Sequence, residues 1–297
     1  QTLLQCLQHA DLKPIIITFD FPIWIKAVDI VLTLKLPVMV RLGGFHLLKS
    51  FIGSVGYIME GSGIEDVIKC IYQGCGDPFV NGVLSGGAYY KALRCHFLID
   101  AALVTHTMKD KISDTDLKVV EDFLLEIIEK EKGCENPITQ VLAFQQNLER
   151  TIKCLESNGR TPALWIHYHQ YVSLIKAYIR AERLNDFDAH LSCVAAMLPI
   201  FAAAGHVSYA KGARLYLELM ERYEVEYTSV MKTFRLKGYH TVRYNSDEWS
   251  GVWSDLAIEQ TLMKPIKSSG GLKQGRFRNP DNAYKLWCST LDHLSEI

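Results

Sequence analysis

The chain has 297 residues, 48% of them hydrophobic and 22% charged, with a formal net charge of −1. That composition excludes a disordered chain, and the balanced charge gives no global pull toward nucleic acid, so any such surface has to be local. Eight cysteines stand without a CxxC pair, the closest being Cys70 and Cys75, which argues against a zinc site or a disulfide framework and for free thiols in a reducing compartment. No run of about 18 apolar residues is present, so no membrane partner is expected. The run PIIITFDFPIW, residues 14 to 24, predicts a strand buried on both faces, ending abruptly on Asp20. Pro22 then suits the first turn of a helix, and Ile23, Trp24, Ala27, Ile30 and Val31 recur at helical spacing until Pro37. Next come a second apolar run, VMVRLGGFH, and another helical stretch, FHLLKSFIGSVGYIM. Strand, helix, strand, helix in so short a span predicts a βαβ unit with parallel strands.

Beyond GSGIED the pattern turns helical from Ile64 to about Tyr227, and LWIHYHQYVSLIKAYIRAERL, DAHLSCVAAMLPIFAAAG and VSYAKGARLYLELMERY predict three consecutive packed helices. No fixed-period repeat is present, which disfavours a solenoid. Toward the end, GYHTVRYN reads as a strand, SDEWSGVW as a loop and DLAIEQTLMKPI as a helix limited by Pro265. Lys264, Lys267, Lys273, Arg276 and Arg278 follow without an acid, among glycines 270, 271 and 275. The expected architecture is α/β with a large all-helical insertion: 1–63 as the first part of the α/β core, 64–235 as the insertion and 236–297 as the closing part.

Few motifs carry chemistry. Asp20 has two readings, a helix cap or a charge at the carboxyl end of a strand, where open α/β sheets keep their sites. Asp255 and Glu259 are four apart and share a helix face, either as solvated acids at a helix start or as oxygen ligands for a divalent metal. In GGFH, Gly43 and Gly44 allow close backbone approach or a positive φ, and His46 then faces Asp20 from the same sheet end or caps the helix. His167 and His169 are two apart and fall on different helix faces, which makes them poor co-ligands. The aromatic helix carrying Trp165, Tyr168, Tyr171 and Tyr178 reads as core. Phosphate-binding glycine fingerprints, a nucleophile elbow and a nucleophilic cysteine beside a base are all absent from the sequence.

The order of IIITFD, PVMVRLGGFHLLKSFIG, a long helical block and SDLAIEQTLMK resembles the middle and end of an RNase H-like transposase core of the Mutator-like and hAT type. RLGGFHLLKSFIGSVGYIMEGSG, WSDLAIEQTLMK and SSGGLKQGR also resemble a group of uncharacterised, mobile-element-like animal proteins. The resemblance implies metal-dependent cleavage and transfer of DNA phosphodiesters, with Asp20 and Glu259 holding Mg²⁺ or Mn²⁺ and Asp255 in reserve. It implies that His46 supports the geometry or the scissile phosphate, and that Lys267, Lys273, Arg276 and Arg278 contact the DNA backbone. An intracellular location, nuclear or cytoplasmic, and a homo-oligomer go with it. Two departures stand against the family pattern. The turn reads GGFH without its cysteine, and no strand ending in a first aspartate precedes Pro14, so the chain reads as lacking an upstream part and its catalytic set as incomplete. The alternative expectation is a non-catalytic helical scaffold domesticated from a mobile element.

Overall fold

The computed structural model describes residues 14–108, 118, 121, 137–243, 245 and 247–263. Strand β1 (Ile15–Phe19) leads into helix α1 (Phe21–Leu34), strand β2 (Val38–Leu42) and helix α2 (Gly44–Met59). β1 and β2 pair in parallel with Ile15 opposite Val38 and Phe19 opposite Leu42, so the βαβ unit expected from the sequence is present. Helices α3 (Ile64–Ile71), α4 (Asp77–Leu84), α5 (Tyr89–Met108), α6 (Pro137–Ser157), α7 (Arg160–Leu184), α8 (Phe187–Ala203), α9 (Val207–Glu226) and α10 (Thr228–Lys237) follow. The three packed helices expected after residue 160 are α7, α8 and α9. Strand β3 (Thr241–Arg243) then pairs antiparallel with β4 (Gly251–Trp253), and α11 (Ser254–Ile258) runs on into a π-helical turn, Glu259–Met263.

The described residues are therefore mostly helical, and their α/β part amounts to one parallel pair and one short antiparallel pair. The loop expected over SDEWSGVW is corrected: Gly251–Trp253 is a strand, buried throughout. Alternation is too short over three residues to be legible, and burial against the rest of its unit decides the conformation. No helix among the described residues is long and apolar enough to cross a membrane.

Two compact units divide the chain. The first comprises 1–48, 178–195 and 208–297, and the second 49–177 and 196–207. In the first unit β2 lies at the centre, with Val38, Met39, Val40 and Leu42 each at most 1% exposed. α1 turns Trp24, Ala27, Val28 and Val31 inward, the 3–4 spacing of an amphipathic helix. The edge of β2 away from β1 is sealed by side chains: the Trp24 indole donates to the Val40 carbonyl at 3.3 Å, and the Val40 amide donates to the Tyr223 hydroxyl at 3.4 Å. Replacing Tyr223 with Phe leaves that buried amide without an acceptor, and should lower the stability of the first unit by about 1–3 kcal/mol in urea unfolding. The second unit packs around Phe51, Ile52 and Val55 of α2, with Ile68, Val83, Tyr168 and Phe201 also buried. Phe51 and Phe201 meet edge to face at 5.7 Å.

Candidate functional site

The candidate site lies in the first unit, at the carboxyl ends of β1 and β2. Asp20 follows β1 and holds the N-cap position of α1 with extended backbone, φ −65° and ψ 160°. Its carbonyl accepts the Ile23 and Trp24 amides at 3.2 and 2.8 Å, so the helix start is secured by main chain alone. The side chain makes no capping hydrogen bond, which corrects the capping role open to Asp20 in the sequence. Pro22 in the first turn already removes one of the amides such a cap would serve. Instead Asp20 Oδ1 is buried without a hydrogen-bond partner among the described residues.

The acid that caps a helix here is Asp255, brought from far along the chain to the start of α2. Its Oδ1 accepts the Phe45 amide at 3.2 Å, its Oδ2 accepts the His46 amide at 3.1 Å, and Oδ2 also lies 3.1 Å from His46 Nδ1. The Asp255 side chain is 9% exposed and that of His46 34%. A carboxylate at the first amides of a helix meets both unpaired donors and the positive end of the dipole. His46, expected to face Asp20, has its Nδ1 engaged by Asp255.

Both glycines of GGFH are explained by close approach, with no positive φ at either. A Cβ on Gly43 would stand 2.6 Å from Asp255 Oδ2 and 3.1 Å from the Phe19 carbonyl oxygen. The same carbonyl accepts the Gly43 amide at 2.7 Å, extending the β1–β2 ladder one step past the strands. Asp255 is thereby held against the ends of both strands. Tyr209 of α9 reports the same neighbourhood: burial raises its pKa most, and the charges of Asp20 and Asp255 both add to the rise. Phe21 stacks on Tyr209 with centroids 4.8 Å apart and fixes that ring beside the rim.

Glu259 lies one turn beyond Asp255, and its amide bonds back to the Asp255 carbonyl, so the four-residue spacing expected from the sequence holds. It is half-buried and opens the π-helical turn. Lys267, Lys273, Arg276 and Arg278 lie outside the described residues. Among the described residues, no group of three or more His, Cys, Asp or Glu side chains is arranged to hold a metal ion.

Adjacent to the rim is a buried polar layer that sequence reasoning did not single out. Arg41, in the middle of β2, is 3% exposed and donates to the His240 carbonyl at 3.0 Å, with the Phe187 and Phe234 rings 5.6 and 5.3 Å from its guanidinium carbon. Glu182, His190 and His240 are 0–2% exposed, and Tyr216 Oη lies 3.3 Å from His190 Nε2. Burial pushes the Glu182 carboxyl up to about 8, against the pull of Arg41 and with a contribution from Asp255. Burial also drives the His190 imidazole well down, helped by the charges of Arg41 and His240, and takes His240 down to about 3. The available signal was a lone arginine inside an otherwise apolar strand, VMVRL, since a buried guanidinium demands polar company.

In the second unit His167 and His169 take different partners, as their spacing predicts. His167 Nε2 lies 3.1 Å from Glu156, and His169 Nδ1 lies 2.7 Å from Asp100. Burial alone would raise the Asp100 pKa, but hydrogen bonds from His169 and Lys176 outweigh it and the carboxyl stays below its ordinary value. These residues hold helices of the second unit together.

Comparison with known proteins gives one match. A family model described as "Domain of unknown function (DUF8702)" covers residues 1–297. No curated protein and no solved structure matches the chain.

Proposed function

The chain belongs to the DUF8702 family, and for this member of it we propose a transposase-derived, RNase H-like role in metal-dependent cleavage and transfer of DNA phosphodiesters. The observation that carries the reading is Asp20 Oδ1, buried at the end of β1 and without a hydrogen-bond partner among the described residues. A buried carboxylate oxygen lacking a donor costs about 1–3 kcal/mol or more, and a hard divalent cation is the natural partner for it. Mg²⁺ is usually held by one or two carboxylates, with water and phosphate oxygens completing its shell. Asp20 is then the primary ligand. Asp255 has about four lone-pair sites, of which three serve Phe45 and His46, so it adds one oxygen at most. Glu259, a turn further along, is the next acid on the same helical run.

Bound there, Mg²⁺ or Mn²⁺ would activate the attacking oxygen and stabilise the leaving one. The chain's own residues position the reactants. His46, anchored at Nδ1 by Asp255, donates Nε2–H to a phosphate oxygen when its ring carries both protons, and Lys267, Lys273, Arg276 and Arg278 hold the DNA backbone without reading sequence. In thermal unfolding, millimolar Mn²⁺ should raise the melting temperature of the chain, and Asp20→Asn should abolish the rise. No rise in the unsubstituted chain overturns the metal site.

A second reading, a non-catalytic helical scaffold, draws support from the same residues. Asp255 is largely consumed as a cap, and Arg41, Glu182, His190 and His240 are buried beyond a substrate's reach. It predicts no Mn²⁺ response in the unsubstituted chain or in Asp20→Asn.

A further inference from the structure

The two edges of the β1–β2 sheet are treated differently. β2's outer edge is sealed by Trp24 and Tyr223, whereas β1 is half-exposed along its whole length and pairs only with β2 among the described residues. The Ile15 amide donates to the Pro37 carbonyl and the Phe19 carbonyl accepts the Gly43 amide. Main-chain groups alternate in direction along a strand, so Ile15, Ile17 and Phe19 address β2 while Ile16 and Thr18 turn theirs outward. They turn toward a groove of about 940 Å³, whose lining includes Ile15–Thr18 on one side and Val230, Phe234, Val242 and Ile258 on the other. Val242 and Ile258 are 39% and 49% exposed, so the walls present apolar surface to solvent.

We propose that this groove is a docking site for an uncharged, extended peptide segment of a partner protein, which joins the β1–β2 sheet as a third strand. Three features select that occupant. First, no described lining residue is charged, so the described walls give a phosphate backbone nothing to pair with and complement an uncharged, apolar segment. Second, a small apolar molecule would cover the outward amides and carbonyls of Ile16 and Thr18 without bonding them, at about 1–3 kcal/mol for each group. An extended backbone satisfies them directly, as in β-strand addition. Third, β1 lies between walls supplied by α10, β3 and α11, so a second copy, whose own β1 is equally recessed, is not able to bring the two edges together. A single strand of about five residues, roughly 17 Å long, fits along β1. An unguarded apolar edge is otherwise an aggregation hazard, which gives the chain a physical reason to keep it in a groove.

The test is amide hydrogen exchange in the full chain, with a blocked six-residue peptide of alternating Thr and Val as probe. Added at millimolar concentration, the peptide should slow exchange at Ile16 and Thr18 tenfold or more. The same peptide N-methylated at alternate residues should leave both unchanged. Thr18→Pro removes an outward donor on an edge strand, and Val230→Asp places a charge in the wall without touching β1. Each should abolish the protection. Unchanged exchange at both amides with the unmethylated peptide overturns the proposal, as does protection already complete in the free chain, which would mean the chain covers its own edge.

Discussion

Replacing Gly44 with Ala is expected to destabilise the first unit by about 3 kcal/mol, read as a lowered urea midpoint. A methyl at that position would stand 2.3 Å from Trp253 Cδ1, 2.6 Å from its Nε1 and 2.8 Å from the Tyr178 hydroxyl. Tyr178 is fully buried and Trp253 is 5% exposed, and the two rings stack at 5.9 Å, so neither has space to retreat into. Displacing Trp253 also displaces α11, which begins at the next residue and carries Asp255. The same substitution should therefore abolish any Mn²⁺-dependent rise in melting temperature. Gly82→Ala is the control. Its added methyl meets only the Ala88 Cβ, at 3.7 Å, and in the middle of α4 it should stabilise by about 0.5–1 kcal/mol. If Gly44→Ala proves as mild as Gly82→Ala, the close packing of Trp253 and Tyr178 on the start of α2 is wrong.

Stability is expected to peak slightly below pH 7 and to fall steeply on the acid side. Burial holds His96 at about 4 and His240 at about 3, and drives His190 in the same direction, against an ordinary value of 6.5. Below pH 6.5 the unfolded chain therefore binds protons that the folded chain refuses, so stability falls as pH drops and has fallen fully once the folded-state values are reached. For His96 and His240 the full loss is about 3–5 kcal/mol each. Glu182 works in the opposite direction. Its folded value is about 8 against an ordinary 4.5, so the folded state keeps a proton that the unfolded state releases, and stability declines as pH rises from 4.5 to 8. Between 4.5 and 6.5 three histidines outweigh one carboxyl, and above about pH 7 the carboxyl prevails. Urea midpoints across pH 4 to 9 should show this asymmetric maximum, and Glu182→Gln should flatten the alkaline limb only. A flat profile between pH 4.5 and 6.5 would show that the histidines are not buried in neutral form.

Much of the local structure was legible. IIITF and VMVRL are apolar runs too short for helices, and Pro22, Pro37 and the helical spacing of Trp24, Ala27 and Val31 fixed α1 between them. The aromatic helix resolved as core, with Tyr168 and Tyr178 fully buried. Gly251–Trp253 was not legible as a strand, because three residues carry no periodicity. The site divides in the same way. Asp20 was identified as the acid ending a strand, and the pairing of Asp255 with Glu259 on one helical run followed from spacing alone. That Asp255 caps α2 was hidden, since its donors, Phe45 and His46, are about 210 residues away in the chain.

The sequence by itself determined the elements, because propensity, proline placement and hydrophobic period act over a few residues. It also determined which residue types stood where chemistry is possible. Only the tertiary structure decided which acid is satisfied among the described residues and which is not, why Gly43 and Gly44 have to be glycines, that Arg41 gathers Glu182, His190 and His240 around it, and that one edge of the sheet is sealed by side chains while the other pairs with no described strand. Those outcomes depend on contacts between segments far apart in the chain. Hydrogen-bond satisfaction and steric exclusion at such contacts are properties of the packed molecule, not of any stretch of its sequence.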